Sequence, residues 1–194
     1  MKNVAQVQTN PVFSVADYLG FERFASERHE FLDGKVYAMA GESHSHSTIC
    51  FNLYSFLGPQ LRGTGCRGFS PNMKVRTSES GLFSYPDFII VCGEPLSHDD
   101  KTDVVTNPTV IFEVLSPSTE SYDRGEKFLR YTNYIHSLRD CVLISQDRPH
   151  VEHFSRSSGW AKAEFEGLDA VLKLDSVECE ISFAELYDLV EFSA

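Results

Sequence analysis

The 194-residue chain carries a formal net charge of −11, with 42% apolar and 23% charged residues. That balance suits a globular protein with a sizeable core, and it excludes a disordered chain, a collagen-like repeat and a broadly basic nucleic-acid-binding surface. No apolar run approaches the ~18 residues that a membrane-crossing helix needs, and no basic start leads into an apolar stretch, so the expected setting is cytoplasmic, with no membrane partner.

In chain order, residues 1–13 are expected to be flexible, and residues 14–194 to form a single domain. Ser14 and Asp17 form an S-x-x-D box with Phe13 and Tyr18 as its staple, which predicts a helix near 15–26. The Asp33-Gly34 pair between short apolar runs predicts a hairpin. Ile49, Leu53 and Phe56 predict a helix near 46–58, ended or bent by Pro59. Strands are expected near 66–70, 73–77, 85–91 and 109–115, the last two apolar enough to be central. A helix over 123–135 is expected to be capped by Asp123, with Phe128, Tyr131 and Ile135 on its inner face. Strands near 141–145, 150–156 and 160–166 follow, then a helix near 183–191 opened by Ser182 and Glu185. The pattern predicts an α/β fold: a mixed sheet flanked by helices, with a C-terminal antiparallel meander.

Five cysteines, Cys50, Cys66, Cys92, Cys141 and Cys179, are odd in number and widely spaced. They read as reduced, mostly buried thiols, not as a disulfide framework or a zinc site. Against the acidic balance, Lys74, Arg76, Arg124, Lys127 and Arg130 are cations from which a local basic patch could form.

Two carboxylates interrupt apolar strands: Asp87 before Phe88-Ile89-Ile90-Val91, and Glu113 between Phe112 and Val114. A carboxylate inside a buried strand is costly unless it is paired or bound to metal. Two on adjacent strands are tolerable with a divalent cation between them, and oxygen donors of this kind suit magnesium or manganese. Taken singly, each also fits a structural role, at a strand edge or beside an arginine. Lys127 neighbours the inner face of its helix, or else pairs with Asp123 on the surface. Glu30 opens a hairpin strand. His44 and His46 lie two apart with no third ligand in the pattern, and His46 is a candidate for positioning phosphate. Asp123 and Arg124 read as a helix cap and a surface ion pair; Tyr122, Tyr131, Tyr134 and Trp160 read as packing. No Gly-rich phosphate loop or G-x-S-x-G is present.

Pro86-Asp87, IFEVLSPST (111–119), DRGEKFLRY (123–131) and RHEFLDGKVYAMAG (28–41) with His46 together closely resemble the Uma-type restriction endonuclease family of the PD-(D/E)XK nuclease superfamily. The resemblance runs from about residue 14 to 190. It implies a restriction-endonuclease-like fold and a magnesium-dependent endonuclease acting on DNA, with manganese as a substitute. Asp87 matches the Asp of the Pro-Asp motif, Glu113 the second acidic residue and Glu30 the N-terminal one. Leu115 stands where the general superfamily pattern has lysine, and Lys127 fits the place on the following helix where this family carries it. On that reading Asp87, Glu113 and the Val114 carbonyl hold the metal, Glu30 supports a second metal or a water, and Lys127 orients the attacking water and stabilises developing charge. A homodimer is expected of an enzyme that cuts both strands. The rival expectations are a nuclease-fold protein that binds nucleic acid or a protein without cutting, an oligomeric structural or regulatory protein, and a two-carboxylate glycosidase, which leaves Lys127 without a role.

Overall fold

The structure, a computed structural model, describes residues 12–78 and 81–192. Most of the expected flexible segment, residues 1–11, lies outside the described residues; within it, Phe13 donates its N–H to the Gly34 carbonyl. Helix α1 (Val15–Glu22) is opened by the Ser14–Asp17 capping box, with both reciprocal bonds formed. Strands β1 (His29–Leu32) and β2 (Lys35–Ala38) form the expected hairpin. Its two-residue turn takes positive φ at Asp33 (46°) and Gly34 (87°), the twist that fits flanking strands.

Helix α2 runs from His44 to Gln60, capped by Ser43. Pro59 sits in its last turn and does not break it, because the helix has only one residue left to run. Strands β3 (Cys66–Phe69), β4 (Lys74–Arg76), β5 (Phe83–Ser84), β6 (Phe88–Cys92), β7 (Val104–Val105) and β8 (Val110–Leu115) follow. The strand expected near 85–91 forms only from Phe88, as β6, while Phe83–Ser84 just before it belong to the other sheet. Tyr85-Pro86-Asp87 is the crossover, and Pro86, with no N–H to give a ladder, marks the break.

The expected helix over 123–135 starts earlier and differently. A short α3 (Glu120–Tyr122) leads into a π-helical turn over Asp123–Lys127 and then α4 (Phe128–Tyr134). Asp123 is not a cap, since it lies inside the continuous helical path and is buried. The hydroxyls of Ser116, Ser118 and Thr119 bond to one another, and the Glu120 N–H reaches the Ser116 carbonyl, so the SPST loop itself makes the first turn. Tyr131 and Ile135 are buried as the periodicity requires, and Phe128 packs on Phe154 and Trp160.

Strands β9 (Asp140–Ser145), β10 (His150–Ser155) and β11 (Lys162–Glu166) form the expected antiparallel meander. Strands β12 (Val171–Leu174) and β13 (Cys179–Ser182) add a hairpin that the sequence reading missed, and α5 is only Phe183–Leu186, without a side-chain cap from Ser182. A six-stranded mixed sheet has the order β11-β10-β9-β8-β6-β3; a five-stranded sheet has the order β2-β1-β5-β4-β7. All six residues of β8 are buried, as an apolar strand covered on both faces should be. Ile90, Phe112 and Val114 pack toward α2 and α5, and Ile89, Ile111 and Leu115 toward α4.

The expectation of five free thiols is wrong for two of them. Cys66 and Cys92 face each other in the β3–β6 register and form a disulfide; Cys50, Cys141 and Cys179 are free and buried. Twenty-six residues of separation hid a pairing that only strand register creates. No helix among the described residues is long and apolar enough to cross a membrane.

Candidate functional site

Side chains alternate across a strand, so residues two apart share a face. Asp87 follows the parity of Ile89 and Val91, and Glu113 that of Ile111 and Leu115; both parities face α4. The antiparallel register pairs Phe88 with Phe112, so Asp87 and Glu113 stand one step beyond, side by side where β6 begins. Asp87 is fixed there by its neighbour strand: Oδ2 accepts the Val114 N–H at 2.7 Å. Its carbonyl accepts from the Tyr54 hydroxyl, also at 2.7 Å.

The π-turn delivers the rest. Lys127 is buried, and its Nζ lies 3.0 Å from Glu113 Oε1, 3.2 Å from Glu30 Oε1 and 3.3 Å from Asp123 Oδ1. Tyr131 donates its hydroxyl to Glu113 Oε1 at 2.8 Å and is itself held by Ser84. Asp123, Lys127 and Tyr131 thus form one i, i+4, i+8 stripe. That spacing was present in the sequence, but Asp123 and Tyr131 were read as cap and packing. Glu30 also accepts the Tyr85 N–H. Asp87, Glu113, Lys127, Glu30, Val114 and His46 all line one cleft of about 700 Å³.

The electrostatics are those of a site short of positive charge. Burial pushes the Glu113 carboxyl well above its ordinary value; Lys127 pulls it back, while Asp123, Asp87 and Glu30 add to the rise. Burial works against the Lys127 ammonium, but Glu113, Glu30 and Asp123 outweigh it and keep the group charged. The acids on the cleft wall are Glu30, Glu42, Asp87, Glu113, Asp123 and Glu126, against the permanent cations Arg28 and Lys127. The cations from which a basic patch could form are each paired. Lys74 is bound to Asp103 and Tyr85, Arg124 to Glu152 and Glu120, and Arg130 to Asp33 and Glu126, while Arg76 meets His98.

The donor set fits a hard divalent cation. Asp87, Glu113 and the Val114 carbonyl offer oxygen, and no hydrogen bond reaches Asp87 Oδ1 or Glu113 Oε2 from the described residues. Magnesium commonly takes one or two carboxylates and keeps several waters. Glu30 is engaged by Lys127, and among the described residues no cluster of three converging metal-type side chains includes Glu30 or Glu113. His46 has a place the sequence pattern did not show. Its Nε2 lies 3.4 Å from Asp87 Oδ2. Burial opposes a charged ring, but the bond to Asp87, Glu42 nearby and the Val114 carbonyl raise its pKa. A second cluster, His150 with Glu152 and Glu164, already has Arg124 and Lys162 on its carboxylates.

The Uma2 family model, described as "Putative restriction endonuclease", matches residues 15–185. The chain belongs to the Uma2 family. Two Synechocystis sp. (strain PCC 6803) proteins, the uncharacterized proteins sll1609 and slr1290, are 32% and 31% identical to it. The first match covers 93% of this chain and 98% of the relative, the second 91% and 92%. A crystal structure described as a "putative nuclease belonging to DUF820", from Anabaena variabilis ATCC 29413, superposes with a TM-score of 0.76 at 15% identity, over 92% of this chain and 99% of that one. At that identity the likeness establishes the fold, and it matches the mixed sheet flanked by helices found here. The Uma2 match includes every cleft residue named above.

Proposed function

We propose that this Uma2-family protein is a magnesium-dependent endonuclease that hydrolyses DNA phosphodiester bonds in the cleft. The observation that carries this reading is the convergence of Asp87, Glu113 and Lys127 in one acidic cleft, with Nζ 3.0 Å from the Glu113 carboxylate. Asp87, Glu113 and the Val114 carbonyl would hold the cation. When bound, it polarises a phosphoryl oxygen and lowers the pKa of a bound water. Lys127 stays an ammonium and is therefore suited to stabilising charge on the phosphoryl oxygens more than to removing a proton. Tyr131 and Asp123 hold Glu113 and Lys127 in position. Six acids against two permanent cations repel a polyanion, so DNA enters this cleft only with the cation in place.

The test is nicking of supercoiled DNA with Mg2+ or Mn2+. Wild type cuts and Asp87→Ala does not; unchanged cleavage by that variant ends the assignment. Calorimetry of Mg2+ and Mn2+, with and without a non-cleavable DNA analogue, reads the metal centre independently. Metal at about 100 times its Kd should stabilise the fold by about 2.7 kcal/mol.

A second reading is favoured by the net charge of −11 and by Leu115 standing where the superfamily pattern has lysine. In it, the fold binds nucleic acid or a protein partner without cutting. Clean binding with no products under any divalent metal would select it. Cutting both strands calls for two sites, and sedimentation with DNA tests for a homodimer.

A further inference from the structure

The nuclease reading leaves the buried His46 side chain of the cleft without a task. His46 is 8% exposed in the first turn of α2, and its N–H is held by the Ser43 hydroxyl at 3.1 Å. Its ring is fixed from behind: Nδ1 lies 3.6 Å from Cys50 Sγ and 3.9 Å from Glu42 Oε2. Nε2 therefore faces forward, 3.4 Å from Asp87 Oδ2, and the Val114 carbonyl faces the same ring.

We infer that His46 is a ligand of the cleft cation, binding through Nε2 beside Asp87 and the Val114 carbonyl, and that it shifts the site's preference from Mg2+ toward Mn2+. The inference rests on the reading above that Asp87 holds a divalent metal.

Three observations carry it. Two ligand atoms that share a cation at about 2.0–2.2 Å stand roughly 3–3.5 Å apart, and Nε2 and Oδ2 already have that separation. A cation held by Asp87 Oδ2 and the Val114 carbonyl would take the place of the proton that Nε2 shares with Asp87 in the metal-free protein. Next, the oxygen set is thin, because Lys127 engages both Glu30 and Glu113. Asp87 has no such lysine, and His46, Cys50 and Asp87 are a group whose potential ligand atoms lie within 4.8 Å of one another. Cys50 Sγ meets the ring at Nδ1, not at Nε2, and so backs it, as outer partners of a ligating histidine do. Finally, an imidazole nitrogen discriminates between metals where carboxylates do not. It favours Mn2+ and the later divalent metals over Mg2+, which prefers oxygen and retained water.

The experiment uses the full chain and Mn2+. Electron spin-echo spectra of bound Mn2+ are compared between unlabelled protein and protein carrying 15N-histidine, and Mn2+ and Mg2+ affinities are measured for wild type, His46→Gln and His44→Gln. Wild type should show coupling to a directly bonded histidine nitrogen. His46→Gln should lose it and weaken Mn2+ binding by about 10-fold or more, while Mg2+ affinity changes by less than about threefold. His44→Gln should keep the coupling. Mn2+ bound without histidine coupling in wild type, a measurement that needs no variant to fold, overturns the ligand assignment and leaves the nuclease reading standing. So does equal Mn2+ affinity in His46→Gln. Failure of wild type to bind either metal, even with a non-cleavable DNA analogue, overturns both.

Discussion

Lys74 and Lys127 are both buried among carboxylates, but in different company. Near α1, Arg23 bonds Asp99 and Asp103 at 2.7 and 2.8 Å, and Lys74 adds a contact to Asp103 at 3.0 Å. There, two cations meet two acids, and the network ties the 93–103 segment back to α1 and β4. In the cleft, Lys127 alone meets Glu30, Glu113 and Asp123, with Asp87 beyond them. The first network is balanced and closes two parts of the fold together. The second is three to one and opens on a cavity. An uncompensated excess of buried charge costs stability, and it persists where a ligand supplies the missing charge.

The largest way to break this comparison is Lys127→Met. It removes the lone ammonium from three carboxylates and should cost about 3–5 kcal/mol, which for a chain of this length lowers the melting temperature by roughly 10 °C. Thermal melts in chelator measure it. A loss under about 2 °C would show that the cluster is not held by charge, and the contrast with the Arg23 network would fall.

How far the site was legible follows from the kind of signal each residue gave. Asp87 and Glu113 were visible because a carboxylate beside or within an apolar strand violates the local pattern. Lys127 was visible through the family resemblance, since on helix pattern alone it reads as a solvated lysine. The hairpin at Asp33-Gly34 and the box at Ser14 were legible because their chemistry is local. Three features were not, and each depends on tertiary register. The Cys66–Cys92 pair exists only once β3 lies against β6. The break at Pro86 needs two sheets. Asp123 turns inward only because the SPST loop, not its own side chain, starts the helix. His46 belongs with these: its missing third partner was Asp87, forty-one positions away in the sequence.

A smaller effect sharpens the comparison by its sign. Asp103→Asn should lower the melting temperature by about 2–4 °C, because a partly buried acid with two cationic partners contributes about 1 kcal/mol. Glu113→Gln, measured without metal, should leave it unchanged or raise it slightly. The glutamine oxygen still accepts from Tyr131, while one charge leaves an over-negative cluster. The same variant should lose the stabilisation that Mg2+ or Mn2+ gives wild type. If both variants destabilise alike, the two networks are of one kind.

The smallest expected effect is a difference in pH dependence. Asp103 is held below its ordinary value of 3.8, first by the Arg23 hydrogen bond, against the pull of burial, and then by Lys74. A lowered acid contributes stability that is present above 3.8 and is lost as pH falls through that value toward its folded-state value. The gap between wild type and Asp103→Asn should therefore close on acidification below about pH 4. Glu113 runs the other way. Burial raises it above its ordinary value of 4.5, so the folded state holds a proton that the unfolded state releases, and wild type loses stability as pH rises past 4.5. Any advantage of Glu113→Gln in metal-free buffer should therefore be absent at low pH and grow on the alkaline side of that value. Melting curves from pH 3 to 8 on the two variants read both slopes. Parallel curves would mean that ionisation does not separate these networks; opposed slopes would tie the missing positive charge to the cleft.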